Sequence, residues 1–72
     1  MAGPAFTAGV DVGSTQTKAV VIDEMGRIAG RALIDTGARI SDSAEQAFLI
    51  ALKDGGLDEE EVEFVVGTGY GR

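Results

Sequence analysis

The stretch GVDVGSTQTKAVVID, at residues 9–23, decides the fold of this chain. Two runs of apolar and β-branched residues flank a short segment of Gly, Ser and Thr. Within the second run, residues 19–22 (AVVI) are continuously apolar, which is typical of a buried strand. Because the segment between the runs is rich in turn-forming residues, we predict two strands, at residues 7–12 and 17–23, joined by a tight turn.

The next segment extends this pair of strands. Residues 24–27 (EMGR) predict a turn, because Gly26 can adopt a positive φ angle without steric cost. A third strand is predicted at residues 27–36. Consecutive strands joined by short turns pair antiparallel, so we expect the first three strands to form an antiparallel β-meander.

The apolar period then changes to that of a helix. Ser41, Asp42 and Ser43 are all favourable N-cap residues, and Glu45 and Gln46 complete patterns typical of a capping box. Apolar residues recur after them at helical spacing and form one face, which we expect to pack on the sheet. The residues of this face are Ala44, Ala47, Phe48, Ala51 and Leu52.

A pair of glycines at residues 55–56 predicts the end of this helix, with Leu57 folded back on its last turn. Residues 57–61 predict an acidic connector or a short helical turn, and residues 62–66 a fourth strand. A right-handed crossover through the helix places that strand parallel to the first. The expected fold class is α/β, a β-β-β-α-β mixed sheet with one main helix. One helix covers one face, so we expect a face or an edge of the sheet to stay open.

Composition excludes several classes of function. The 72 residues include no cysteine and no histidine, so the chain cannot supply a disulfide, a zinc-thiolate site, iron–sulfur ligands or a histidine-activated nucleophile. The net charge of −6 disfavours binding to nucleic acid or to an anionic membrane. There is no run of about 20 apolar residues that would predict a membrane span. Residues 1–6 lack the features of a signal peptide, so we expect a cytoplasmic protein.

Polar chemistry is concentrated in residues 11–18 (DVGSTQTK), at the turn between the first two strands. A turn built from Gly13, Ser14 and Thr15 can direct several backbone N–H groups into one concavity, and such concavities bind phosphate oxygens. The hydroxyls of the loop, including that of Thr17, can add hydrogen bonds. The loop is therefore a candidate nucleotide-phosphate site.

Two charged residues flank the loop. Lys18 supplies a positive charge for a phosphate, and Asp11 is placed to hold a divalent cation such as Mg²⁺, directly or through water. An ordinary hairpin turn, with Asp11 capping the loop and Lys18 solvated, accounts for the loop sequence equally well. The P-loop pattern is absent, and the glycines of residues 67–71 do not match the Rossmann pattern.

A phosphate loop in the first hairpin, followed by a strand, a helix and a strand, is similar to the opening of the actin-like (ribonuclease H-like) ATPase fold. Residues 9–23, together with VVGTGYGR at residues 65–72, resemble the ATPase component of benzoyl-CoA reductases and the activators of 2-hydroxyacyl-CoA dehydratases. The first loop is shared loosely with sugar kinases, whereas GTGYGR is more particular to this family. We therefore expect residues 1–72 to be a single incomplete domain, the N-terminal part of an actin-like ATPase domain.

The resemblance implies a ligand, cofactors and partners. Members of the family are homodimeric ATPases that bind ATP or ADP with Mg²⁺ and hold one 4Fe–4S cluster between two subunits. They drive a low-potential electron into a partner reductase or dehydratase. By position, the resemblance implies a metal-associated aspartate, a first phosphate loop and a second loop near the phosphates: Asp11; Gly13, Ser14, Thr15 and Lys18; Thr68 and Gly69.

Two alternatives stay open. One is a kinase of the same superfamily that transfers phosphate to a sugar or small acid, and the other is a binding or assembly module without catalysis. Relatives are much longer, and their cluster cysteines, second phosphate loop and second domain have no counterpart here. We therefore assign no catalytic residue, and we expect the 72 residues alone neither to hydrolyse ATP appreciably nor to bind a cluster.

Overall fold

Four strands and one helix form at the segments where the apolar period predicts them. The computed structural model describes residues 5–69, and of residues 64, 68 and 69 the backbone alone. The strands are β1 (Phe6–Val12), β2 (Gln16–Ile22), β3 (Ile28–Asp35) and β4 (Val62–Gly69), the helix α1 spans Ile40–Gly55, and a 3₁₀ turn spans Glu59–Glu61.

The strands form a single mixed sheet in the order β3-β2-β1-β4. Pairing is antiparallel between β1 and β2 and between β2 and β3, and parallel between β1 and β4. The predicted meander and the predicted direction of the fourth strand are both confirmed. The predicted end of β4 at residue 66 is wrong, because residues 67–69 continue to pair with β1. Residues 70–72, the end of the GTGYGR segment, lie outside the described residues.

The core lies between α1 and one face of the sheet. Alternate residues of the two central strands are buried there, as the two-residue period of a strand requires. The apolar residues of this core are Ala8, Val10, Val12, Ala19, Val21, Ala47, Ala51 and Leu52. Ala44 and Phe48 pack against it, so the predicted apolar face of the helix is confirmed.

The sheet face opposite α1 is here called the open face. Burial of residues 19–22 follows the strand period, because α1 covers one face: Val21 is fully buried, while Val20 and Ile22 are half-buried. Leu33 and Val66 are 56% and 45% exposed. Within the described range, no helix is long and apolar enough to cross a lipid bilayer.

The helix begins earlier than its capping pattern predicts. Its N-cap is Arg39, which makes no side-chain capping bond, so the predicted N-cap positions at residues 41–43 are wrong. The physical reason is Ser43, which is buried and whose hydroxyl accepts a 2.7 Å hydrogen bond from the Gly37 N–H and donates to the Arg39 carbonyl. The Ser43 side chain thus links the loop before α1 to the first turn of α1. Ser43 makes both bonds from within the helix, four residues after the N-cap.

The C-terminal end of α1 matches the prediction. Gly56 adopts the left-handed conformation with φ +67°, and its N–H donates to the Lys53 carbonyl. The Leu57 N–H donates to the Leu52 carbonyl at 2.9 Å, and the Leu57 side chain packs against the core. This closes the helix in the manner expected of a glycine C-cap.

Two glycines allow the last turns of α1 to lie directly on β3. A Cβ atom on Gly30 would overlap the carbonyl oxygen of Ala51, and one on Gly55 would lie 2.6 Å from the carbonyl oxygen of Ala29. The register of β3 shifts here, since Val21 is paired with Gly30 while Ile22 is paired with Ile28. Ala29 is therefore the extra residue of a β-bulge.

The turn between β2 and β3 is organised by Asp23. Its Oδ1 accepts hydrogen bonds from the N–H groups of Met25 and Arg27, both at 2.9 Å, and Oδ2 lies 3.4 Å from Arg27 Nε. Gly26 has φ +84°, which confirms the predicted turn glycine. The backbone bond from Arg27 is the largest of the effects that lower the pKa of Asp23.

We expect Gly30→Ala to lower the free energy of unfolding by about 2–3 kcal/mol, because the new methyl group meets helix backbone that cannot move aside cheaply. Gly67→Ala is the matched control, since a Cβ there meets nothing within 4 Å. Urea denaturation of the two variants measures the difference. Equal midpoints for both would show that the close approach of helix and sheet is not required.

We expect Asp23→Asn to remove a pH-dependent part of the stability. The folded state lowers the pKa of Asp23 below its ordinary value of 3.8. The stabilisation is therefore present above that value and is lost as pH falls through the lower folded pKa. Urea denaturation between about pH 2 and pH 6 should show a steeper acid loss for the unmodified chain than for Asp23→Asn. Glu24→Gln, in the same turn, should keep the steep profile, and an Asp23→Asn profile equally steep would contradict the assignment.

Candidate functional site

Two predicted site residues are direct cross-strand neighbours, and a third occupies the next strand. In the sheet register, Asp11 of β1 is paired with Lys18 of β2 on one side and with Thr68 of β4 on the other. Residues paired in this way share a face. Asp11 and Lys18 are exposed, whereas Val10 and Val12 on either side of Asp11 are buried against α1. The row of three positions therefore lies on the open face.

A shallow depression runs along the open face beside this row. Its lining includes Gly9, which has no side chain and is paired with Val20 on one side and Val66 on the other. Its lining also includes Asp11 and Lys18. One end of the depression is therefore charged, and the rest is apolar.

The loop between β1 and β2 lies at the end of this row. Its first residue, Gly13, donates its N–H to the Gln16 carbonyl at 2.9 Å, and a Cβ on Gly13 would lie 3.0 Å from that same oxygen. Ser14 and Thr15 are exposed. Among residues 5–69, no protein group accepts a hydrogen bond from the N–H of Ser14 or of Thr15. The loop thus combines two exposed hydroxyl residues with two amides that have no acceptor in the described part of the chain.

Thr17 lies apart from the other predicted phosphate ligands. It is paired with Val12 on the face that α1 covers, and it is 0% exposed. Its hydroxyl makes a 2.7 Å hydrogen bond with the hydroxyl of Thr36. The structure therefore places the Thr17 hydroxyl on the covered face, in contact with Thr36.

Sequence reasoning missed Thr36, which follows β3 and makes two hydrogen bonds to the loop and one to Thr17 of β2. Its hydroxyl donates to the Gly13 carbonyl at 2.8 Å, its N–H donates to the Thr15 carbonyl at 2.9 Å, and its hydroxyl also meets Thr17. The one sequence signal for it is the register of the meander, which sets the end of β3 beside the loop. The bulge at Ala29 shifts that register by one residue. Counting residues outward from the turn between β2 and β3 therefore sets the wrong residue of β3 opposite the start of β2.

The ends of β1 and β4 meet at the same edge of the sheet. Because these strands are parallel, Thr68 and Gly69 at the end of β4 lie beside Asp11 and Val12 at the end of β1. The structure therefore brings the backbone of the second predicted loop next to the first.

The residues present fit Mg²⁺ better than they fit an iron–sulfur cluster. No group of three or more Asp, Glu, His or Cys side chains capable of holding a metal occurs in the described part of the chain. At the proposed site, Asp11 offers a single carboxylate. One carboxylate is sufficient for Mg²⁺, since this ion commonly uses one or two carboxylates together with phosphate oxygens and waters. The sequence has no cysteine, so it supplies no thiolate for a 4Fe–4S cluster.

Curated proteins similar to this chain include two dehydratase activators. The activator of lactoyl-CoA dehydratase from Anaerotignum propionicum is 34% identical over 67 residues, covering 93% of this chain and 26% of the relative. The (R)-2-hydroxyglutaryl-CoA dehydratase activating ATPase of Acidaminococcus fermentans is 31% identical over 67 residues, covering 93% and 25%. An uncharacterized protein of Methanocaldococcus jannaschii is 46% identical over 68 residues, covering 93% and 16%. The chain spans about a quarter or less of the length of these relatives.

A solved structure shares the fold. The crystal structure of component A of the Acidaminococcus fermentans (R)-2-hydroxyglutaryl-CoA dehydratase matches with a TM-score of 0.81 and 29% identity, over 94% of this chain and 26% of that one. This confirms the predicted mixed sheet with one helix, and it confirms that the chain has the fold of an ATPase activator. The model of the BadF/BadG/BcrA/BcrD ATPase family matches residues 8–72. This chain belongs to the BadF/BadG/BcrA/BcrD ATPase family.

Proposed function

We propose that this chain forms the first phosphate-binding part of an actin-like ATPase domain. The complete protein would use ATP to drive low-potential electron transfer to a CoA-ester dehydratase or reductase. The observation that carries the proposal is the row of Asp11, Lys18 and Thr68 on three adjacent strands, beside a loop with two amides that find no acceptor among residues 5–69. The names of the dehydratase activators among its relatives support the choice of electron acceptor.

The loop would bind phosphate through local donors. The chain carries a net charge of −6, so its overall field repels a polyphosphate. Binding therefore needs oriented donors at short range, which the amides and hydroxyls of Ser14 and Thr15 supply. Gly13 keeps the backbone close to Gln16, and the exposed Lys18 adds the positive charge.

Asp11 would hold Mg²⁺ together with phosphate oxygens and waters. Mg²⁺ supplies neutralisation of the phosphate charge when it is bound. Asp11 and Lys18 are both exposed and are adjacent in register, so neighbouring positions of the open face carry one carboxylate and one ammonium group. A phosphate with bound Mg²⁺ carries both a cation and anionic oxygens, so it can interact with the carboxylate and with the ammonium group at the same time.

The second loop and the remaining parts of the site complete the proposal. Thr68 and Gly69 would lie near the phosphate end of the nucleotide, because their backbone is at the same sheet edge as the first loop. A nucleotide site in this fold lies between two domains, so we propose that these 72 residues bind nucleotide weakly and do not turn it over. The homodimer and its 4Fe–4S cluster would belong to the complete protein.

We expect titration with Mg-ATP to shift the backbone NMR signals of Gly13, Ser14, Thr15 and Lys18. Lys18→Gln should weaken binding by about threefold to tenfold, because a charge-assisted contact to phosphate is lost. Lys53→Gln, which removes the chain's second lysine at the end of α1, should leave the affinity unchanged. Loop signals that do not move would overturn the proposal in favour of a binding module without a nucleotide site.

We expect Asp11→Asn to abolish the advantage of Mg-ATP over ATP alone. In the unmodified chain, adding Mg²⁺ should strengthen ATP binding, since Asp11 contributes a ligand to the shared ion. Asp35→Asn removes a carboxylate from the exposed end of β3 and should preserve the Mg²⁺ effect. Binding is measured with and without a chelator. A Mg²⁺ effect that persists in Asp11→Asn would show that the ion is held without this residue.

A further inference from the structure

Thr36 lies just after β3, yet its contacts are with the loop between β1 and β2. We propose that Thr36 is a positioning residue for this loop, which aims the N–H of Ser14 at the bound phosphate. The inference rests on the proposed function, and it adds a residue outside both phosphate loops. Three hydrogen bonds carry it, to Gly13, Thr15 and Thr17.

The hydroxyl hydrogens can be assigned by counting. Thr36 has one hydroxyl hydrogen, and it is donated to the Gly13 carbonyl at 2.8 Å. Thr17 must therefore donate across the 2.7 Å contact to the Thr36 oxygen. The result is two successive hydrogen bonds, from the Thr17 hydroxyl to the Thr36 hydroxyl and from the Thr36 hydroxyl to the Gly13 carbonyl. Thr17 is fully buried, so water does not compete for the hydrogen bond that its hydroxyl donates.

The orientation of the Ser14 amide follows from the geometry of the peptide bond. A trans peptide is planar, and its C=O and N–H point in opposite directions. The Gly13 carbonyl points at Thr36. The N–H of Ser14, which belongs to the same peptide, therefore points away from Thr36 and from the buried hydroxyl of Thr17. It faces outward from the loop, where the described protein offers it no acceptor.

The other end of the loop is held in the same way. The N–H of Thr36 donates to the Thr15 carbonyl at 2.9 Å, which fixes a second peptide of the loop. The loop's own closing bond runs from Gly13 to Gln16. Thr36 therefore fixes both the first and the last peptide of a short exposed turn. A loop held in its binding conformation loses less entropy when it captures a ligand, and so binds more tightly.

The test uses four variants of this chain. Thr36→Val keeps the shape and removes the hydroxyl, and Thr36→Ser keeps the hydroxyl. Thr17→Val/Thr36→Val removes both hydroxyls, so that no buried hydroxyl is left without a partner and the cost to folding is reduced. Thr7→Val is the matched control, at the far end of β1. Each variant is titrated with Mg-ATP, and the Ser14 amide signal and its hydrogen exchange are recorded without ligand.

We expect Thr36→Val and the double variant to weaken Mg-ATP binding by about threefold to tenfold, and to change the Ser14 amide signal before ligand is added. Thr36→Ser should bind within about twofold of the unmodified chain, and Thr7→Val should bind equally. If the double variant regains both stability and affinity, Thr36 serves folding alone and the inference is wrong. If the unmodified chain binds and Thr36→Val binds as well, the inference alone fails. If the unmodified chain shows no shift with Mg-ATP, the proposed function fails and the inference falls with it.

Discussion

Strand β1 is hydrogen-bonded to β2 on one side and to β4 on the other, so each of residues 7–12 has a fixed neighbour on both sides. Because side chains alternate between the two faces of a sheet, a slip of one residue exchanges the faces entirely. In the observed register, Val10 and Val12 are buried under α1 and Asp11 is exposed beside Lys18. A shifted register would bury the charged pair and expose the core. Burial of small apolar residues thus holds the polar row in place.

The packing of α1 on the sheet also affects the loop between β1 and β2, through strand β3. Close contact between α1 and β3 requires glycine at positions 30 and 55, and the bulge at Ala29 accompanies that contact. The bulge sets the register of the rest of β3 against β2, which in turn places Thr36 beneath the loop. Helix packing, strand register and loop conformation are therefore linked through the backbone of a single edge strand.

Several elements were predictable because their signals are local. The apolar period located the strands and the buried helix face, Gly56 located the end of α1, and the motif at residues 9–23 pointed to the correct family. The two errors have different causes, a contact near in sequence for Ser43 and a pairing distant in sequence for β4. Ser43 caps nothing because it is needed inside the helix against Gly37, and β4 extends to Gly69 because β1 provides a pairing partner.

By itself, the sequence determined the order of the elements, the hairpin that carries Asp11 and Lys18, and the family. The reason is that the apolar period, the turn-forming residues and the family motif each depend on residues close together in the sequence. Only the tertiary structure decided which hydroxyl residues are exposed to solvent and which are buried in the core. Thr17 and Ser14 both carry a hydroxyl, yet strand alternation buries Thr17 under α1, whereas Ser14 lies exposed in the loop. Only pairing across the sheet, offset by a bulge, revealed that Thr36 holds the loop, since no local pattern connects residues so far apart in the chain.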